Sequence, residues 1–235
     1  MQARLLAARH DGLQVHRVVD VGANKGDWAR MLMQLTPHAN ILMLEANDSH
    51  AAELAHLVTE YPARLAYKIA MLAAAAGQTK NFYTSETFDG SGDSMFREVT
   101  HFYEQCSVKA LQTTTLDALL VEHGWGTDAL DILKLDVQGA ELEVLRGAAC
   151  TLGRTDAVIA EVGLFEYNEK APLFAEVVRF MDEAGFDVVD FLEFHRCRHN
   201  VTGERVTLQV DVLFARRGGP FHTGCTATVK DFCTG

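Results

Sequence analysis

The sequence predicts an α/β fold: a doubly wound, mostly parallel sheet of seven strands with an antiparallel C-terminal edge pair. Three observations carry this prediction. Short apolar runs alternate with segments of helical period, the pattern of a parallel sheet covered on both faces. A glycine-rich turn at 20–26 joins the first apolar run directly to the first helical segment. The last two apolar runs, 186–194 and 206–215, follow one another without a helix between them, as antiparallel neighbours can.

The elements follow in order. Residues 15–21 form the first strand, and Trp28, Met31, Leu32 and Leu35 repeat at helical spacing until Pro37 stops the helix. The run NILMLE at 40–45 is the second strand, and Asn47 or Asp48 caps a helix carrying Ala51, Leu54, Ala55 and Val58. Residues 64–72 read as a third strand and 80–84 as a further one after Gly77. The stretch 85–105 has no clear period and is rich in Gly, Ser and Asp before Phe96, Arg97, His101, Phe102 and Tyr103. Functional loops have this character, and a disordered excursion is the alternative. A strand at 108–113 precedes Thr114-x-x-Asp117, a capping-box pattern opening a helix with Leu116, Leu119 and Leu120. ALDILKLD at 129–136 is the next buried strand, followed by a helix at 140–147 and the strand DAVIAEV at 156–162. Leu173, Phe174, Val177, Val178 and Met181 share one helix face, which Gly185 ends before the closing strand pair.

The 235 residues suffice for one substantial core, so 1–216 is expected to be a single domain with 217–235 as an extension. A net charge of −11 argues against a general nucleic-acid binder, whose phosphate contacts need excess Lys and Arg. No apolar run approaches the ~20 residues that cross a bilayer, and no signal peptide is evident. Five scattered cysteines resemble reduced thiols of the cytoplasm rather than a disulfide framework. His195, Cys197 and His199, with His222 and Cys225 later, can be drawn as a metal site. Their spacings match no common zinc pattern, and strand alternation explains them equally, so no metal is assigned. The tail 216–235 carries no legible motif; packing over a pocket, self-association into a homo-oligomer and a dangling extension all stay open.

The sharpest local signal is Asp20-Val21-Gly22-Ala23-Asn24-Lys25-Gly26-Asp27-Trp28. Gly22 permits a sharp turn and close approach of a ligand, and Gly26 lets the helix start pack against the strand. The helix N-terminus offers free N–H groups to a carboxylate or a phosphate. The spacing G-x-x-x-G departs from the dinucleotide pattern G-x-G-x-x-G. A carboxylate at Asp20 repels a pyrophosphate but suits the amino end of a methionine moiety. Glu45, 25 positions on, can accept both hydroxyls of a ribose. In Lys134-Leu135-Asp136-Val137-Gln138-Gly139-Ala140-Glu141, a buried strand delivers Asp136 to its carboxyl end. Asp20, Glu45, Asp136 and Glu161 should therefore line one rim, where they repel one another unless cationic partners or a cationic ligand intervene.

The blocks VVDVGANKGDWA, ILKLDVQGAELEVLRGA and AVIAEVGLFEYNEKAPLF resemble the FkbM family of class I, Rossmann-like methyltransferases, over roughly residues 18–215. That resemblance implies methyl transfer from S-adenosyl-L-methionine, usually to a hydroxyl of a sugar or other small metabolite. It implies that Asp20, Val21, Gly22, Ala23, Asn24, Gly26 and Trp28 hold the methionine part of the cofactor, Glu45, Ala46 and Asn47 the ribose, and that Asp136 and Val137 face the donor methyl. The family's serine-rich segment maps onto Ser94, as a cover for the adenosine. Gln138 stands where many members have Glu, which removes one charge.

Methyl transfer needs in-line positioning of the acceptor and removal of its proton. Asp136 is the first candidate base, followed by Glu161 and His195 near neighbouring strand ends and His101 in the loop. Phe165, Tyr167 and Asn168 are candidates for an acceptor wall. Two other readings stay open: a nucleotide-binding oxidoreductase, and a non-catalytic module that keeps the fold and the cofactor.

Overall fold

A computed structural model of the chain describes residues 14–85, 90–198 and 202–222. Ten strands run β1 (Arg17–Val21), β2 (Asn40–Glu45), β3 (Leu65–Ile69), β4 (Met71–Leu72), β5 (Thr79–Thr84), β6 (Ser107–Thr114), β7 (Leu130–Leu135), β8 (Thr155–Gly163), β9 (Phe186–Arg198) and β10 (Arg205–Arg216). The α-helices that cover the sheet are α1 (Asp27–Leu35), α2 (Ala51–Glu60), α3 (Leu116–His123), α4 (Glu141–Arg146), α5 (Ala149–Leu152) and α6 (Phe174–Glu183), and short 3-10 turns lie at Asp48–His50 and His101–Tyr103.

The main sheet has seven strands in the order β3-β2-β1-β7-β8-β10-β9, parallel from β3 to β8 and antiparallel at β10 and β9. Successive residues of one strand point to opposite faces, and both faces are buried here. Val19, Leu42, Leu133 and Val158 pack beneath helices α3 to α6. Val18, Ile41, Ile132 and Ile159 pack beneath α1 and α2. This two-sided burial explains why the parallel strands are near-continuous apolar runs. The strand order reverses between β1 and β7, the place where open α/β sheets form a ligand crevice.

Two expectations change in detail. The run 64–72 is not one strand: β3 ends at Ile69, where Ala70 N–H donates to Glu45 O at 2.7 Å. Met71 and Leu72 then turn away to pair with Thr113 and Thr114, building a separate small sheet β4-β6-β5. The cap of α3 is Thr115, not Thr114, which is still paired in β6. Thr115 Oγ1 accepts from Ala118 N, while Asp117 accepts from Cys150 N, Thr151 N and Thr151 Oγ1 and so ties α3 to α5.

The described part of 85–105 is a strap rather than a disordered excursion. Ser94 exchanges backbone bonds with Tyr83. Asp93 accepts from Ser85 N, Asn47 Nδ2 and Tyr103 Oη. Farther on, Val99 N donates to Tyr167 O, and Glu169 N to Arg97 O. The strap therefore runs from the small sheet to the segment after β8. Among the described residues no helix is long and apolar enough to cross a membrane.

Candidate active site

Val21, buried with the rest of β1, leads into a turn whose left-handed residues are Gly22 (φ 77°), Asn24 (φ 49°) and Gly26 (φ 85°). A Cβ on Gly22 would stand 1.8 Å from the carbonyl oxygen of Asp136. That glycine accommodates the backbone at the end of β7, and it also lines the cavity. A Cβ on Gly26 would meet Leu57 at 2.6 Å and Met43 of β2 at 3.4 Å, so Gly26 seats the start of α1 against α2 and β2. The second turn uses Gln138 (φ 52°) and Gly139 (φ 93°). Glu141 Oε1 accepts from the N–H groups of Val137 and Gly139, both at 3.2 Å, and holds that turn.

The two turns meet side by side and both line a cavity of about 1110 Å³ at the carboxyl ends of β1, β2 and β7. Its walls include Val21, Gly22, Ala23, Asn24, Trp28, Glu45, Ala46, Ser94, Asp136 and Val137, and also the candidate bases Glu161, His195 and His101. Three expected contacts lie behind the wall. Asp20 is wholly buried and Gly26 packs beneath α1's start. Asn47 reaches the strap through Asp93 at 2.6 Å. Ser94 Oγ donates to Val137 O at 3.1 Å, so it clamps the strap to the β7 turn as well as lining the cavity. Tyr167 lines the cavity. Phe165 is half-exposed, and Asn168 is buried with its amide donating to Gln138 O; neither lines the cavity.

Glu45 accepts Asn47 N through Oε1 and Asn24 N through Oε2, both at 2.8 Å. Each carboxylate oxygen has two lone pairs, so one on each stays available for a pair of hydroxyls. Burial raises its pKa, against those N–H bonds.

Between the turns lies a charge cluster centred on Lys134, a residue the sequence reading did not single out. Its signal was a lone lysine inside the apolar run ILKLD. Lys134 Nζ stands 3.1 Å from Asp136 Oδ2 and 3.5 Å from Asp20 Oδ1, with the ring of Trp28 5.6 Å away. Burial opposes its charge, but Asp136 and Asp20 outweigh that and raise its pKa. Burial raises the Asp20 carboxyl to about 6 despite Lys134, and neither of its oxygens is hydrogen-bonded. Asp136 is partly exposed to the cavity; its enclosure opposes the charge, yet Lys134 and Gln138 hold its carboxyl below the usual range. Gln138 Nε2 bridges Asp136 Oδ1 at 3.0 Å and Glu161 Oε2 at 2.5 Å. Burial, then the charges of Asp136, Asp211 and Glu141, push Glu161 well above the ordinary carboxyl range. Gln209 and Asp211 complete this end of the site, and neither was legible in the sequence. Gln209 Nε2 donates to Glu161 Oε2 at 2.7 Å and to Tyr167 Oη. Asp136, Glu161 and His195 thus belong to one network, whereas His101 sits on the strap.

Of the residues drawn as a metal site, His222 pairs with Asp187 at 2.8 Å, at the opposite end of β9 from His195. Cys106, Cys150 and Cys197 are free thiols, and His199, Cys225 and Cys233 lie outside the described residues.

Comparison with known proteins agrees with this geometry. The chain is 27% identical over 172 residues to the 2-O-methyltransferase NoeI of Sinorhizobium fredii (strain NBRC 101917 / NGR234), covering 67% of this chain and 68% of that one. Among solved structures, the methyltransferase FkbM from Methylobacillus flagellatus KT aligns with a TM-score of 0.49 at 15% identity, over 84% of this chain and 43% of that chain. The precorrin-6y C5,15-methyltransferase from Geobacter metallireducens GS-15 aligns with a TM-score of 0.49 at 10% identity, over 92% and 87%. Likenesses of that size add nothing to what the strand order already shows. The model of the methyltransferase FkbM domain matches residues 20–188, most of the chain, including both glycine turns and β8. The chain belongs to the FkbM methyltransferase domain family.

Proposed function

We propose that this protein transfers a methyl group from S-adenosyl-L-methionine to a hydroxyl group of a sugar or other small metabolite. The observation that carries the reading is one cavity with two kinds of chemistry at its ends. A hydroxyl-binding carboxylate, Glu45, lies at one end, and the Lys134–Asp136–Gln138–Glu161 network at the other. The donor fits this chain's residues. Asp136, Asp20 and Glu161 act on Lys134, so carboxyl groups outnumber the ammonium within this network, and its field favours a sulfonium and an ammonium. Glu45 has spare lone pairs for a ribose.

When bound, the donor supplies an electrophilic methyl group that needs little activation. Glu45, Ala46 and the turn at 22–24 would hold its adenosine and methionine ends. Buried Asp20 acts on it as a nearby charge rather than by contact. Ser94 and the strap exclude water from that end. With donor and acceptor bound, Asp136, facing the cavity and fixed by Lys134 and Gln138, would take the acceptor's proton as the acceptor oxygen bonds the methyl carbon and the carbon–sulfur bond breaks, S-adenosylhomocysteine leaving. Tyr167 and Gln209 orient the acceptor. The hydroxyl acceptor is supported by the family and by the name of the 2-O-methyltransferase relative. Free thiols at Cys106, Cys150 and Cys197 accord with work in the reducing cytoplasm.

The test has two parts. S-adenosylhomocysteine should raise the melting temperature and NAD should not; stabilisation by NAD alone would refute the reading. In a panel of sugar and metabolite acceptors with labelled donor, Asp136→Asn should lower kcat by about 10²–10⁴-fold while S-adenosylhomocysteine affinity changes only a few-fold.

A further inference from the structure

Three strands bring one histidine and two carboxylates to a point beside the charge network. Asp211 on β10 lies directly opposite Glu161 on β8. His195 on β9 is paired with Gln209, two residues before Asp211. Like charges directly opposite one another on antiparallel strands repel. Both of these are buried, at 8% and 7% exposure, so little water screens them. Nε2 of His195 stands 3.4 Å from Glu161 Oε1 and 3.5 Å from Asp211 Oδ1, and it is buried without a hydrogen bond.

The two histidine–carboxylate separations are the ones a shared metal ion would need. Ligands bonded at ~2.0–2.1 Å stand ~3.3–3.4 Å apart at the tetrahedral angle. All three donor atoms lie within 4.8 Å of one another. Glu161 is also braced as metal ligands are. Gln138 and Gln209 donate to its Oε2 at 2.5 and 2.7 Å, which leaves Oε1 turned toward the histidine. Glu161 and His195 line the cavity, so a fourth coordination position opens onto it.

We propose that Glu161, His195 and Asp211 form a site for one divalent cation of the zinc or manganese type, with an open position facing the cavity. One imidazole and two carboxylates suit such borderline ions. The site does not depend on the methyl-transfer reading, but its use does. On that reading the open position takes the acceptor's oxygen and eases loss of its proton to Asp136. The rival occupant of the gap is a proton on His195, with no ion.

The full-length protein, stripped with EDTA, would be titrated with Zn²⁺ and Mn²⁺ by calorimetry and with Co²⁺ by visible absorption. One equivalent should bind, with cobalt bands of a low-coordinate site. His195→Ala and Asp211→Asn should each weaken binding by at least ~100-fold. Absence of stoichiometric binding in the wild type, or binding that neither variant disturbs, would overturn the proposal. S-adenosylhomocysteine titrated into the same stripped protein separates the two ideas. If it binds while no metal does, only the cation site is wrong. If metal binds and it does not, the methyl-transfer reading is the one that fails.

Discussion

Two carboxyl groups are enclosed here with too little positive charge to answer them. Burial lifts Asp20 to about 6 and Glu141 to about 7, although Lys134 relieves the first and two backbone N–H groups relieve the second. Both values exceed those of the unfolded chain, 3.8 and 4.5. The folded state therefore binds more protons than the unfolded one between those limits, and stability falls as pH rises. Integrating the two shifts from pH ~5.5 to ~8 gives a loss of roughly 2–3 kcal/mol, most of it from Glu141. Urea midpoints of the ligand-free protein should fall accordingly, and a rising trend would refute this account of both groups. Glu141→Gln keeps an oxygen to accept from Val137 and Gly139 but removes the charge, so it should make the slope distinctly shallower, leaving the contributions of Asp20 and Glu161. Asp136 and Glu45 could be picked from the sequence as polar residues ending apolar strands. The role of Lys134 could not, because its partner Asp20 lies on a different strand.

The turns make sharper demands than the strands they follow. Gly22 and Gly77 both adopt left-handed φ, 77° and 74°. Only Gly22 has backbone where a side chain would begin, whereas a Cβ on Gly77 meets nothing within 4 Å. Gly77→Ala should thus cost about 1–2 kcal/mol, the conformational strain alone. Gly22→Ala adds an overlap that only parting β1 from β7 can relieve, and its cost should exceed ~3 kcal/mol. Equal midpoints for the two variants in chemical denaturation would contradict this. The glycine motif was fully visible in the sequence, but what it accommodates was not. The misplaced cap of α3 has a similar cause. Thr114 and Thr115 are both competent caps, and the choice fell to the pairing of Thr114 in β6, a contact outside the local pattern.

The molecule as a whole is a well-buried seven-stranded sheet with a lighter appendage. β1, β7 and β8 are covered on both faces, while β5 and β6 pair mainly with one another, β6 exposing most of its length and β5 burying only two residues. Local opening follows burial. Amides of β7 and β8 should exchange slowest with deuterium and those of β5 and β6 much faster, with S-adenosylhomocysteine adding protection along the strap at 90–101. Equal protection of the two sheets would show that they open as one unit. The sequence by itself determined the order of elements, the two-sided parallel core and the position of the glycine turn after β1. Apolar period and left-handed glycines are local properties, so a linear reading recovers them. The tertiary structure alone decided how Lys134 meets Asp20, how the strap closes on Val137, and how Glu161, His195 and Asp211 converge. Those meetings depend on strand register across the β8-β10-β9 edge and on which strands become neighbours, and no local pattern in the chain encodes either.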